Sequence, residues 1–167
     1  MEPISGDAVA HGLLRTARLM LLLIAFLSAC AHVSSDDGAA RVVDARTAHR
    51  LNQRNWDLKG LTVDGRQIVI DVDTAITIRF SPDGQVAGFA SVNRYRGAYS
   101  LSDSGKLNWR RVPTAVTRNT GPPELMEKER AYLHALVRTN AAILAGRVLV
   151  LQSVDATTVL TFNEAGF

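Results

Sequence analysis

The chain has 167 residues, of which 47% are hydrophobic and 21% charged, with a formal net charge of +3. That balance describes an ordinary globular protein and excludes an intrinsically disordered one. So small a positive excess supports weak attraction to anionic surfaces and no more, and a single cysteine excludes a disulfide framework or a cysteine-based metal site.

The N-terminal segment reads as a bacterial export signal. Arg15 and Arg18 precede the apolar run Leu19-Met20-Leu21-Leu22-Leu23-Ile24-Ala25-Phe26-Leu27. Small Ser28 and Ala29 then lead directly to Cys30. A charged start, an apolar centre and small residues at the end are the parts of a cleavable signal. Leu27-Ser28-Ala29-Cys30 is a lipobox, the lipoprotein version, in which the thiol takes a diacylglycerol before cleavage. The apolar run is far shorter than the roughly 20 residues that span a hydrocarbon core. Residues 1–29 are therefore expected to be removed, and the membrane is reached through lipid on Cys30. Cleavage leaves the net charge unchanged, because Arg15 and Arg18 go with Glu2 and Asp7. Ala31, in place of an aspartate, favours delivery to the outer membrane, with the domain facing the periplasm. Nucleic acid is not expected as a partner in that compartment.

Residues 30–54 are read as the lipidated cysteine, a tether and a lead-in. Val33 to Ala40 is rich in Ser, Asp, Gly and Ala, the composition of a flexible linker. Arg41 to Arg54 is polar and weakly patterned. The folded domain, 55–167, is expected to open at Asn55-Trp56-Asp57-Leu58.

From there the dominant period is two. Trp56, Leu58 and Leu61 suggest a first strand, with a turn at Val63-Asp64-Gly65 and a second strand from Gln67 to Val72. Ile76, Ile78 and Phe80 alternate with Thr77 and Arg79. Ser81-Pro82-Asp83-Gly84 then supplies a tight turn, since proline pre-sets φ and Asp-Gly tolerates the left-handed step. Gln85 to Ala90 returns as its partner. Ala98 to Leu101 and Leu107 to Trp109 flank a further turn at Asp103-Ser104-Gly105. After Gly121-Pro122-Pro123 the rhythm changes. Leu125, Met126, Tyr132, Leu133, Leu136 and Val137 are spaced as one face of a helix from Glu124 to Arg138. Arg147 to Gln152 and Thr158 to Phe162 close the chain as strands, with a short one from Ala141 to Leu144. The expected fold is mainly β (α+β): a small antiparallel barrel or strongly curved sheet with one amphipathic helix closing an end.

Four pieces in this order resemble the META domain (HslJ-like) family. They are Trp56-Asp57-Leu58, the strand Gly88-Phe89-Ala90-Ser91-Val92-Asn93-Arg94-Tyr95-Arg96-Gly97-Ala98-Tyr99, the pair Thr117-Arg118, and the helix from Met126 to Leu136. The family pattern carries Gly-Cys where this chain has Ser91-Val92, and a second cysteine where it has Thr120. The resemblance implies that those two cysteines pair elsewhere in the family and are lost together here. It further implies a barrel-like fold, often on an envelope lipoprotein and associated with stress, and it supplies no reaction.

The candidate binding residues are Asn93, Arg94, Tyr95, Arg96, Tyr99 and Trp109. Asn93, between a strand and a turn, is read first as a cap for backbone groups. Tyr95 and Tyr99 share one face and are read as filling the barrel or its rim, with ligand stacking as the alternative. Arg94 and Arg96 point to the opposite face. With Arg110-Arg111 beside Trp109 they form a candidate basic patch, against the plainer reading of a solvated sheet face. Anionic glycolipid or peptidoglycan would suit such a patch.

No catalytic set is read. His32, His49 and His134 lack metal-ligand spacing, and no serine sits in a nucleophile elbow. Asp71-x-Asp73 lacks the rest of a calcium loop. Glu127 and Glu129 are read as solvated helix acids. No cofactor and no metal are expected, and the protein is expected to be a monomer. The resulting expectation is a non-enzymatic envelope lipoprotein that acts as a binding or integrity module. The alternatives are a small-ligand-carrying barrel lined by Tyr95, Tyr99 and Trp109, or an inhibitor of an envelope hydrolase acting through the Asn119–Pro123 loop.

Overall fold

The computed structural model describes residues 38–166, apart from Gln53 and Val72. The signal segment, Cys30 and most of the tether lie outside the described residues.

Among the described residues ten strands form one antiparallel sheet curled into a half-barrel, with one α-helix against it. The strands are β1 (Arg41–Val42), β2 (Asn55–Val63), β3 (Arg66–Ile68), β4 (Ile76–Phe80), β5 (Gln85–Ala90), β6 (Asn93–Leu101), β7 (Leu107–Ala115), β8 (Ala141–Ala145), β9 (Val148–Gln152) and β10 (Val159–Glu164). The helix α1 (Pro123–Arg138) lies between β7 and β8. Across the sheet the order is β1-β8-β9-β10-β2-β4-β5-β6-β7, with β3 paired to β2 off this path. The curl brings the two ends together. Lys106 bridges to Ala141, and Leu107 N donates to Asn140 O at 2.8 Å.

Alternation explains which face is inside. In β4 the buried residues are Ile76, Ile78 and Phe80, and Arg79 is exposed. In β2 the inward set is Trp56, Leu58 and Leu61, which breaks the period of two. A bulge accounts for it. Thr161 pairs with Gly60 and Phe162 with Leu58, so Lys59 is an extra residue and both leucines stay inside. The core they join contains Trp56, Phe80, Tyr95, Tyr132 and Phe162, each at most 1% exposed.

The lead-in belongs to the domain. β1 pairs with β8, and Ala45 N donates to Ser102 O at 3.1 Å. Val43 and Leu51 are buried in the core. Two apolar residues eight positions apart leave no periodic signal, which is why the segment reads as unpatterned. The second expected strand is also shorter than 67–72. β4 takes the same edge of β2 at Asn55–Asp57, and β3 pairs there with Leu61–Val63 alone.

Candidate functional site

Asn93 opens β6 at the end of a two-residue turn, Ser91-Val92. Ser91 holds φ +67°, the left-handed first position of such a hairpin turn. Every polar atom of the Asn93 amide is used. Its Oδ1 accepts from Thr117 Oγ1 and from Asn119 N, both at 2.8 Å. Its Nδ2 donates to Asn119 O at 3.3 Å and to Glu129 Oε1 at 3.1 Å, while its backbone N donates to Glu129 Oε2 at 2.8 Å. Asn93 thus ties the β5–β6 turn, the 117–119 segment and α1 together. Its role extends the expected backbone cap to a junction of three elements.

Glu129 corrects the reading of the helix acids. It is 6% exposed and faces the sheet, whereas Glu127 is exposed. A signal was present: Leu125, Glu129, Tyr132 and Leu136 follow one another at steps of four, three and four, the stripe of a single helix face. A carboxylate in that stripe is buried with its partner or not at all.

Next to this junction lies a phenol pair. Tyr95 Oη donates to Thr77 O at 3.0 Å and lies 2.6 Å from Tyr132 Oη. Tyr99 is buried separately, its hydroxyl bonded to Ser81 O and Asn52 Oδ1, with its ring edge-on to Phe80. The Trp109 indole is half-buried and donates to Thr139 O at 3.1 Å. Tyr95 and Tyr99 therefore do fill the barrel, and their hydroxyls serve internal partners.

Burial pushes all three tyrosine hydroxyls up, that of Tyr95 well above the usual phenol value, with its neighbour Tyr132 adding to the effect. The protein has no other tyrosine. A group whose folded value exceeds its unfolded value of about 10 contributes full stability below that pH and loses it as pH rises further. The phenolate absorbance of the folded domain should therefore rise at higher pH than that of the unfolded chain, and the last of it should appear together with loss of the near-ultraviolet dichroism. A hydroxyl titrating near pH 10 in the folded domain would contradict these positions.

The arginines are the exposed counterpart. Arg94 and Arg96 lie on the outer face, as alternation with the tyrosines requires. Their companion there is Arg79, which the sequence reading passed over. Arg79 pairs with Ala87, and Ala87 with Arg96, so the two arginines flank a small residue across three strands. Asn55, Arg79, Phe89, Arg94, Arg96 and Val116 line a groove of about 300 Å³ there. Arg110 is not part of it. It lines a separate depression with Asp83 and Ser100, Trp109 donates to Thr139 O at the helix end, and Arg111 is not among the residues that line the groove.

The remaining candidates have structural partners. Asp71 accepts from Thr74 Oγ1 at 2.5 Å and pairs with Lys128 Nζ at 2.6 Å, and Lys128 above all holds its carboxyl below the usual range. Among the described residues no three His, Cys, Asp or Glu side chains are grouped to hold a metal, and no helix is long and apolar enough to cross a membrane.

The META domain family model matches residues 49–166, from β2 to β10 with the helix between β7 and β8. The chain belongs to the META domain family. An NMR structure of a protein from Burkholderia xenovorans is similar at 25% identity and TM-score 0.60, covering 81% of this chain and 98% of that one. The crystal structure of a DUF4847 family protein from Bacteroides vulgatus shares the fold at 12% identity and TM-score 0.50, over 69% of this chain and 94% of that one. No curated protein matches.

The META pattern explains the turn before Asn93. Its glycine falls at Ser91, where φ is positive and glycine is least strained. Its cysteine falls at Val92, whose side chain lies against Gly121: a Cβ there would sit 2.9 Å from Val92 Cγ2. Thr120, at the place of the second cysteine, immediately precedes Gly121. This META domain thus has an apolar contact beside the position where the family pattern puts two thiols.

Proposed function

We propose that this META-domain protein is a non-enzymatic, lipid-anchored envelope protein that works as a monomeric binding or integrity module. Cys30 carries the lipid, and the domain faces the periplasm from the outer membrane. The observation that carries this reading is the lipobox Leu27-Ser28-Ala29-Cys30 behind an arginine-flanked apolar run. The domain supports a surface role over an interior one. Trp56, Phe80, Tyr95, Tyr99, Tyr132 and Phe162 are spent on the core, and the outer face keeps exposed arginines. That distribution weighs against a carried small ligand, for which Tyr95 and Tyr99 would have to line an open cavity. The hydrolase-inhibitor alternative asks the 119–123 loop to project. Instead Asn119 is bonded to Asn93 through both its N–H and its carbonyl, and Gly121 rests on Val92.

Fractionation of bacteria expressing the protein tests the anchor. The wild type should stay with membranes through a high-salt wash, and Cys30→Ser should move to the soluble fraction. A Cys30→Ser protein that remains membrane-bound at high salt would sink the lipid-anchor reading.

A further inference from the structure

The outer-face groove has uncompensated charge. Ion pairs of the described residues join Arg54 and Arg147 to Glu164, Lys128 to Asp71 and Arg138 to Asp64. Arg79, Arg94 and Arg96 are exposed and enter none of them. Neighbouring strands are roughly 4.8 Å apart, so the Arg79 and Arg96 stems rise on either side of Ala87 with room for a small anion between them. Arg94 stands two residues along the same strand as Arg96, beside Phe89, its cross-strand neighbour. Phe89 is half-buried and Val116 is 46% exposed, so the groove offers an apolar wall next to its cations. Three like charges gathered with no carboxylate repel one another, and an external anion relieves that repulsion. Guanidinium forks match phosphate oxygens in geometry as well as charge.

We propose that this groove docks the phosphate-bearing headgroups of an anionic membrane surface, with Arg79, Arg94 and Arg96 on the phosphate and Phe89 and Val116 against its glycerol and upper acyl part. The choice of a membrane over a soluble phosphate rests on the proposed lipid anchor. Residues 31–40 separate Cys30 from β1 and, at about 3.5 Å per residue, reach no more than roughly 35 Å. Headgroups are then the most concentrated phosphates within range, and lipid plus a basic patch is a two-signal membrane attachment. The groove sets which face of the domain lies toward the bilayer.

Vesicle co-sedimentation of residues 31–167, without lipid, tests the groove apart from the anchor. The Burkholderia relative, matched over 98% of its length, was solved as a chain of similar extent. The wild type should bind phosphatidylglycerol vesicles and not phosphatidylcholine vesicles. The triple variant Arg79→Gln/Arg94→Gln/Arg96→Gln should lose binding on the order of 100-fold, about fivefold per arginine. The pair Arg110→Gln/Arg111→Gln, outside the groove, should lose little beyond its share of general charge. Equal loss per arginine in both variants would make the attraction diffuse and overturn the groove. Absence of wild-type binding would overturn it as well. Inorganic phosphate that competes fully at concentrations matching the vesicle phosphate would make a free anion the ligand and overturn the membrane assignment. None of these outcomes bears on Cys30, whose own test is fractionation, so failure of the groove and failure of the anchor are separable.

Discussion

Glu129→Gln should destabilise the domain by about 2–4 kcal/mol, and Glu129→Ala by about 3–5 kcal/mol. Both oxygens of Glu129 accept hydrogen bonds, one from Asn93 N and the other from Asn93 Nδ2. Glutamine keeps one acceptor and turns an N–H₂ toward one of those donors. The Asn93 amide cannot rotate to accommodate it, because its Oδ1 is fixed by the Asn119 N–H, which only donates. Alanine strands both donors at a position where Asn93 is 3% exposed. Each buried unsatisfied group costs roughly 1–3 kcal/mol, against a total stability on the order of 5–15 kcal/mol. Urea unfolding followed by tryptophan fluorescence measures the change. A glutamine variant within about 0.5 kcal/mol of wild type would mean that the carboxylate does not hold the turn to the helix.

The second large effect separates two strand glycines of opposite expected sign. Gly88 in β5 pairs with Tyr95 and faces inward. A Cβ there would collide with the Thr77 carbonyl and lie 2.7 Å from Tyr95 Oη. Neither neighbour can yield cheaply. The carbonyl is backbone, and the Tyr95 ring is held at its far end by Thr77 and Tyr132. Gly88→Ala should cost about 3 kcal/mol or more by overpacking. Gly60, at the β2 bulge, would place its Cβ no closer than 3.6 Å to Thr161. Gly60→Ala should be neutral or stabilise by up to about 1 kcal/mol, because alanine surrenders less backbone entropy on folding. Melting temperatures of the two variants, measured side by side, decide the matter. A tolerated Gly88→Ala would show that β4 and β5 give way where the packing says they cannot.

The two variants also show where reading the sequence stops. Nothing in Gly88-Phe89-Ala90 tells that a tyrosine seven residues later lies beneath its glycine. That contact is made by strand register. The same holds for Glu129, whose place on the helix stripe is legible but whose donors lie 36 residues away. Arg79 is legible as an outward residue of β4, yet only the order β4-β5-β6 sets it across Ala87 from Arg96.

Elements whose information is local are legible in the residues alone. Alternating apolar residues specify the strands from 76 to 90, Pro-Asp-Gly specifies their turn, and a 3.6-residue stripe specifies α1. The ordered motif from Trp56 to Leu136 specified the META family. Tertiary structure alone decided the closure of the half-barrel, the inclusion of residues 41–54, the Asn93–Glu129 junction and the grouping of the groove arginines. The physical reason is that each of these depends on pairings between residues far apart in the chain. Local periodicity records which way a side chain faces, and only the folded sheet determines what it meets there.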